Sequence, residues 1–298
     1  MGFKFSTKDR SVQKGIRRIA QNEAGTALKH LKSDLANDPD AVHGVRKSTK
    51  KLRGLLRLIR PVFAHAKAED IALRDAARQI AGLRDVEVMR QTFDGLADDL
   101  PKSARSSLRA ALDARVEEAA EAASLDAAAD SVRSELEGFR KRARSWRIDG
   151  DGFAALEPGL AATWTTARKG LKKARKALDD KGFPGEPLHA WRKQVKRHWY
   201  QARLLEPIWP EMMAPHVAQA DTLGELLGLH NDLEVLLGTL ADDPALAESP
   251  ALERLRKAVL KRRRALAADS LSLGARFFAE PTDALTRRWG DWFQLWRA

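Results

Sequence analysis

The chain has no cysteine and a single tyrosine. Without cysteine there is no disulfide framework, no thiolate metal site and no cysteine nucleophile. Aromatic residues make up only 6% of the sequence. Period-two clusters of Val, Ile, Thr and Tyr, the mark of half-buried strands, are nearly absent. No apolar run approaches the roughly 20 residues a membrane-crossing helix needs, and no secretory apolar stretch follows the start. The expected setting is therefore cytoplasmic, with no membrane partner. Met1-Gly2 with Ser6 formally fits a myristoylation pattern, a match too short to carry weight. Acidic residues are missing from two stretches in which basic ones abound: none occurs from His43 through Arg60, and none from His189 through Leu205.

What is present is Ala, Leu, Arg, Lys, Glu and Asp in abundance, the texture of an all-α chain. Its 298 residues suffice for one large or two ordinary domains. Lys and Arg total 53 against 41 for Asp and Glu, a formal charge of +12. An excess of that sign implies an anionic partner: nucleic acid, an acidic membrane or a free polyanion. Breakers at Asn37-Asp38-Pro39, Pro61, Asp98 to Pro101, Gly150-Asp151-Gly152, Gly182 to Pro187, Pro207 to Pro210, Asp242-Asp243-Pro244, Ser249-Pro250 and Pro281 leave segments of bundle-helix length with short connections between them. The loop at Gly150 is the natural midpoint, and the first ten residues read as a loose arm.

Aligned with itself, the chain gives one strong match. VHGVRKSTKKLRGLLRLIRP (42 to 61) lies over LHAWRKQVKRHWYQARLLEP (188 to 207). His43 falls on His189, Arg46 on Arg192, Lys47 on Lys193, Lys50 on Lys196, Lys51 on Arg197 and Arg57 on Arg203. GLRDVEV (82 to 88) matches LHNDLEV (229 to 235) at nearly the same offset, pairing Asp85 with Asp232 and Glu87 with Glu234. Two matches in order predict two related helical units, a half-bundle over 9–147 and another over 153–298.

A helix advances about 100° per residue, so spacing becomes direction. His43, Arg46, Lys50, Arg53, Arg57 and Arg60 share one face, opposite Val45, Leu52, Leu55, Leu56 and Ile59. The second copy puts His189, Arg192, Lys196, Tyr200 and Arg203 opposite Trp191, Val195, Ala202 and Leu205. Basic residues on an outer helix face are ordinarily just solvated. Like charges three and four apart repel, however, and surface helices relieve this with interleaved carboxylates that both copies lack. A third stretch, Arg168, Lys169, Lys172, Lys173, Arg175 and Lys176, has the same character. Two such helices facing each other across a cleft would form an anion site.

Other chemistry is poorly supported. His43 and His189 have no second His or carboxylate at helical ligand spacing, so no metal site or cofactor is expected. Asp85 with Glu87, and Asp232 with Glu234, splay apart on a helix and suit the orientation of basic residues by ion pairs better than acid-base catalysis. No phosphate loop, nucleophile elbow or His-Glu-x-x-His occurs. Trp146, Trp191 and Trp209 read as core, and Trp289, Trp292, Phe293 and Trp296 follow the spacing of a buried stripe. Trp199 falls on the cationic face.

The segments DPDAVHGVRKSTKKLRGLLRLIRP, LRDVEV, LHAWRKQVKRHWYQARLLEPIWP and LGLHNDLEVL, in that order, resemble the CHAD family, the "conserved histidine α-helical domain", over roughly 9–298. The resemblance implies one two-fold helical domain, pseudo-symmetric antiparallel half-bundles around a basic central channel, that binds inorganic polyphosphate and locates proteins at polyphosphate granules. It places the signature histidines at His43 and His189 and basic positions at Arg46, Lys50, Lys51, Arg57, Arg168, Arg192, Lys193, Lys196, Arg197 and Arg203, with a recurrent tyrosine at Tyr200. The cationic faces add Lys47, Arg53, Lys172 and Arg175. Lys47 and Ser48 depart from the small apolar residues usual in the first copy, and His198 and Trp199 depart in the second, so a pocket less symmetric than the fold is expected. No catalytic residue is expected. The alternatives are a nucleic-acid-binding helical protein and a polyphosphate phosphohydrolase.

Overall fold

A computed structural model of the chain describes residues 2–32, 38–80, 82–122, 125–181 and 185–298. Among these residues there are eleven α-helices and no strand: α1 (Val12–His30), α2 (Pro39–Leu58), α3 (Ala66–Gln79), α4 (Gly82–Asp94), α5 (Lys102–Ala122), α6 (Leu125–Ala143), α7 (Glu157–Lys181), α8 (Gly185–Leu205), α9 (Pro210–Ala241), α10 (Pro250–Phe277) and α11 (Thr282–Arg297). Most breaker positions fall between helices as expected. Of the expected connections, residues 33–37 and 182–184 lie outside the described residues.

Local chemistry sets several starts. Ser11 caps α1 by accepting from the Lys14 amide at 3.2 Å, Asp38 caps α2 by accepting from Ala41 at 3.0 Å, and Ser249 caps α10 by accepting from Leu252 at 3.1 Å. Pro39 and Pro250 follow two of these caps, where their missing N–H costs nothing. At the midpoint, Gly150 and Gly152 adopt φ of 78° and 58°, a left-handed conformation that other residues resist.

The helices pack in two hydrophobic clusters. The larger gathers apolar stripes from α1, α2, α3, α6, α7, α8 and α11, with Trp164, Trp191 and Trp289 fully buried. The smaller joins α4 and α5 to the C-terminal part of α9 and to α10 through Phe93, Leu108, Leu112, Leu233, Leu236 and Leu255. Both clusters draw on residues from each side of Gly150. The long α9 contributes to both, Leu223 and Leu227 to the first and Leu233 onward to the second. Burial of this kind, at roughly 25 cal/mol per Å² of apolar surface, supplies the main drive for folding.

Two expectations are corrected. The first ten residues are a strap, not a loose arm. Phe3 and Phe5 are buried, the Phe5 amide donates to the Leu204 carbonyl at 3.0 Å, and the buried Asp9 holds the Arg18 guanidinium at 2.6 and 2.7 Å. Arg297 of α11 donates to the Asp9 carbonyl at 2.6 Å. Two apolar side chains at alternate positions were enough to anchor a segment with no helical period. Trp209, read as core, is 44% exposed and sits at the break before α9, its ring edge against Trp292. In the C-terminal stripe Trp289 and Phe293 are buried, whereas Trp292 and Trp296 are only partly covered.

Candidate anion-binding cleft

Helices α2 and α8, which carry the matched segments, pack against each other. They meet closely at Gly54: a Cβ there would lie 2.6 Å from the Cβ of Tyr200, its counterpart in the alignment. Any larger residue would push the helices apart at the floor of the space between them. Beside this contact the helices diverge into a cleft of about 530 Å³. Lys or Arg side chains line it at nine positions: Arg46, Lys47, Lys50, Arg53 and Arg57 from α2, and Arg192, Lys193, Lys196 and Arg197 from α8. His43, Val88, Trp199 and Tyr200 also face it, and Glu225 of α9 is the one carboxylate among the described residues on its wall.

Like charges this close must be partly neutralised. Asp70 of α3 accepts from Arg53 at 2.8 Å and from Arg57 at 2.7 Å. Burial still holds the Arg57 pKa below its ordinary value, with Arg53 and Arg60 adding to the effect and Asp70 opposing it. Arg197 is pushed down to about 10, first by burial and then by Arg57, while Gln194 accepts from it at 2.8 Å. Both guanidiniums remain charged at neutral pH, and both lie where an added anion relieves repulsion. Lys196 is held by Asp221 at 3.1 Å and Glu225 at 2.6 Å, both on α9.

Trp199 stands where Arg53 stands in the other copy. Lys196 lies 4.6 Å and Arg203 4.8 Å from its ring centroid, one a turn before it and the other a turn after. The indole thus braces two cations. Its neighbour Tyr200 is largely buried, and burial raises its pKa to about 12, so the phenol keeps its proton and can donate. Phe3 of the N-terminal strap packs edge-on against this ring at 6.2 Å, which ties the strap to the cleft floor. No sequence periodicity pointed to that contact.

The structure separates the remaining candidates from the cleft. Lys51 turns inward between α2 and α1, where Glu23 accepts from it at 2.8 Å and from Ser48 at 2.8 Å. The family resemblance had put Lys51 among the basic positions of the site, and it does not line the cleft. His189 is half-buried and turned toward Asn231 of α9, and its Nδ1 is buried with no hydrogen-bond partner among the described residues. Burial, then Lys193, lowers its pKa and leaves it neutral. Arg203 reaches the cleft only through Trp199. Arg168, Lys172 and Arg175 line a different depression, between α7 and α10.

Of the carboxylates expected to orient basic residues by ion pairs, Glu87 and Glu234 pair with ones that do not line the cleft. Glu87 holds Gln91 and Arg90 of its own helix, and Glu234 pairs with Arg263 of α10 at 2.8 Å. The Asp85 side chain lies outside the described residues. The carboxylates that perform this task, Asp70, Asp221 and Glu225, lie outside the repeat, so pattern matching could not find them. No group of three or more metal-ligating side chains occurs among the described residues.

An all-α bundle with a polybasic cleft between two matched helices is the class of protein these observations define. A family model, the CHAD domain, matches residues 11–241, and the chain belongs to that family. Among solved structures, the CHAD domain from the plant Ricinus communis is similar at 18% identity and a TM-score of 0.65, over 94% of this chain and 97% of that one. PptA from Streptomyces chartreusis is similar at 15% identity and a TM-score of 0.63, over 89% and 98%. At these identities the likeness concerns the fold. No curated protein sequence matches the chain. The family match ends with α9, whereas the structural likenesses extend over most of the chain.

Proposed function

We propose that the cleft between α2 and α8 binds inorganic polyphosphate, and that this binding, without catalysis, places the protein at polyphosphate granules in the cytoplasm. The observation that carries this reading is the convergence of nine Lys and Arg positions from two acid-free helix faces around one cleft, with Glu225 the one carboxylate among the described residues on its wall. Membership of the CHAD family, whose domains are linked to polyphosphate, supports it. Arg forks can take two phosphate oxygens at once, and Lys adds mobile charge. A flexible chain of closely spaced phosphates satisfies such a surface better than a stiff duplex does. A nucleic-acid reading would need exposed aromatic platforms, and the one aromatic ring with cations on the cleft face, Trp199, is already occupied by Lys196 and Arg203.

The test is a competition. Polyphosphate is expected to displace labelled RNA or duplex DNA at far lower phosphate concentration, with steep weakening by salt through counterion release; the opposite order contradicts the proposal. Arg46→Glu with Arg192→Glu is expected to abolish binding while circular dichroism stays helical. Retained affinity in that folded variant moves the site elsewhere. Sustained orthophosphate release from polyphosphate with Mg²⁺ would instead mark a phosphohydrolase.

A further inference from the structure

The N-terminal strap reaches the cleft, although none of its described residues lines it. Its outer part is tied to α1 and α11: Arg18 donates to Asp9 and, at 3.0 Å, to the Lys4 carbonyl, and Arg297 donates to the Asp9 carbonyl. Phe5 fills the space at Gly15 of α1, where a Cβ would lie 2.8 Å from its ring, and the Phe5 amide reaches the Leu204 carbonyl of α8. Phe3, only 7% exposed, continues to the seam of α2 and α8 and meets one side chain from each. Its ring stands edge-on to Tyr200 of α8, and the Lys51 ammonium of α2 lies 5.7 Å from its centroid.

From Phe3 the contacts run on to the cations. The Tyr200 centroid is 4.7 Å from that of Trp199, and Trp199 carries Lys196 and Arg203 against its ring. Tyr200 is thus held on three sides, by Gly54, by Trp199 and by Phe3. Two of these neighbours belong to helices with full hydrogen-bond ladders. Phe3 belongs to a segment without one, which can open on its own. In a close-packed interior, withdrawing Phe3 leaves a void into which the Tyr200 ring can turn, and Trp199 loses its support. The α8 side is the side that needs this support, because the ion pairs of Lys196 are open to water whereas Arg53 and Arg57 are fixed by Asp70.

We infer that Phe3 is a positioning residue for the cleft: the seated strap holds Tyr200, and through it Trp199 and its two cations, so strap seating and polyphosphate binding are coupled. This rests on the polyphosphate reading and adds a control element to it. Coupling of this kind is reciprocal. The factor by which an unseated strap weakens the ligand is the factor by which the ligand suppresses strap opening.

The first measurement needs no substitution. Hydrogen exchange of the full wild-type chain is followed at the Phe5 amide, with the Leu252 amide at the start of α10 as a locally opening control in the second cluster. Saturating long-chain polyphosphate is expected to slow exchange at Phe5 about tenfold and to leave Leu252 unchanged. An unchanged rate at Phe5, or equal slowing at both amides, overturns the coupling. The second measurement compares Phe3→Ala with Leu108→Ala, a truncation of a side chain buried in the other cluster. Tyr200 is the chain's one tyrosine, so 3-fluorotyrosine labelling gives a single ¹⁹F resonance that reports its surroundings. Phe3→Ala is expected to shift that resonance and to weaken polyphosphate about tenfold, while Leu108→Ala leaves the resonance in place and the affinity within about twofold of wild type. Affinity unchanged in Phe3→Ala, or lost equally in Leu108→Ala, also overturns the inference. A wild-type protein that does not bind polyphosphate defeats the reading of the cleft itself, a result distinct from the others.

Discussion

Helices α2 and α8 present matched basic stripes to one cleft, but what stands behind each stripe differs. Behind α2, Glu23 of α1 and Asp70 of α3 take Lys51, Arg53 and Arg57 in well-covered ion pairs. Behind α8, Asp221 and Glu225 of α9 hold Lys196 in pairs open to water. At matched positions Lys51 is turned inward whereas Arg197 lies among the arginines of the cleft. Leu52 meets apolar neighbours whereas His198 is bonded to His216, Nε2 to Nε2, at 2.7 Å inside a ring of Trp164, Phe277, Phe278 and Trp289. The comparison teaches that a duplicated stripe fixes which charges face the cleft. Which of them are tied to the fold, and which are held loosely enough to be exchanged for a ligand, depends on the neighbours.

Three measurements sharpen or break that comparison. The largest effect is expected at Glu23→Ala. Lys51 and Glu23 are 16% and 7% exposed, so removing the carboxylate leaves a largely covered ammonium and the buried Ser48 hydroxyl without their acceptor; urea unfolding is expected to show a loss of about 2–3 kcal/mol. A loss near zero would mean that α2 is not tied more tightly than α8.

The second effect is acid sensitivity confined to the α8 side. Burial lowers His198 well below its ordinary value and takes His216 to about 3. Both are neutral in the folded protein at neutral pH. As pH falls through the unfolded value of 6.5, the unfolded chain takes up protons that the folded one refuses, so stability present above that value declines toward the folded pKa. The slope is about 1.4 kcal/mol per pH unit for each histidine. Unfolding curves collected between about pH 7 and pH 5 check this, and substitution of the pair by Leu and Phe is expected to reduce their slope, the remainder coming from His230, which burial takes to about 4, and from His189. A slope unchanged without the pair would place the acid sensitivity elsewhere.

The smallest effect on stability is expected for Asp221→Asn with Glu225→Gln. The ion pairs to Lys196 are solvent-exposed, so their removal should change stability by less than about 1 kcal/mol. Freeing Lys196 and removing two negative charges should tighten polyphosphate binding several-fold. Weaker binding in this variant would show that the carboxylates position Lys196 for the ligand and do not compete with it.

The all-helical class, the breakers, among them Asp38-Pro39 and Ser249-Pro250, and the basic faces of α2 and α8 were legible because each follows from spacing along one chain. The strap was not: Phe3 and Phe5 have no helical period, and their anchors, Leu204 and Arg297, lie far away in sequence. Trp209 was misplaced because a residue beside a breaker has no face until its neighbours are packed. The α7 run looked in sequence like the other two, and only packing against α10 put it in a separate groove.

The order of residues by itself determined the helices and the direction of each cationic stripe, since a helix converts local spacing into geometry with a fixed turn. Tertiary structure alone decided that Gly54 and Tyr200 meet, that Asp70 holds two arginines, and that α7 faces away from the cleft. Those outcomes depend on how buried apolar surfaces close over one another, a long-range choice that no local period encodes.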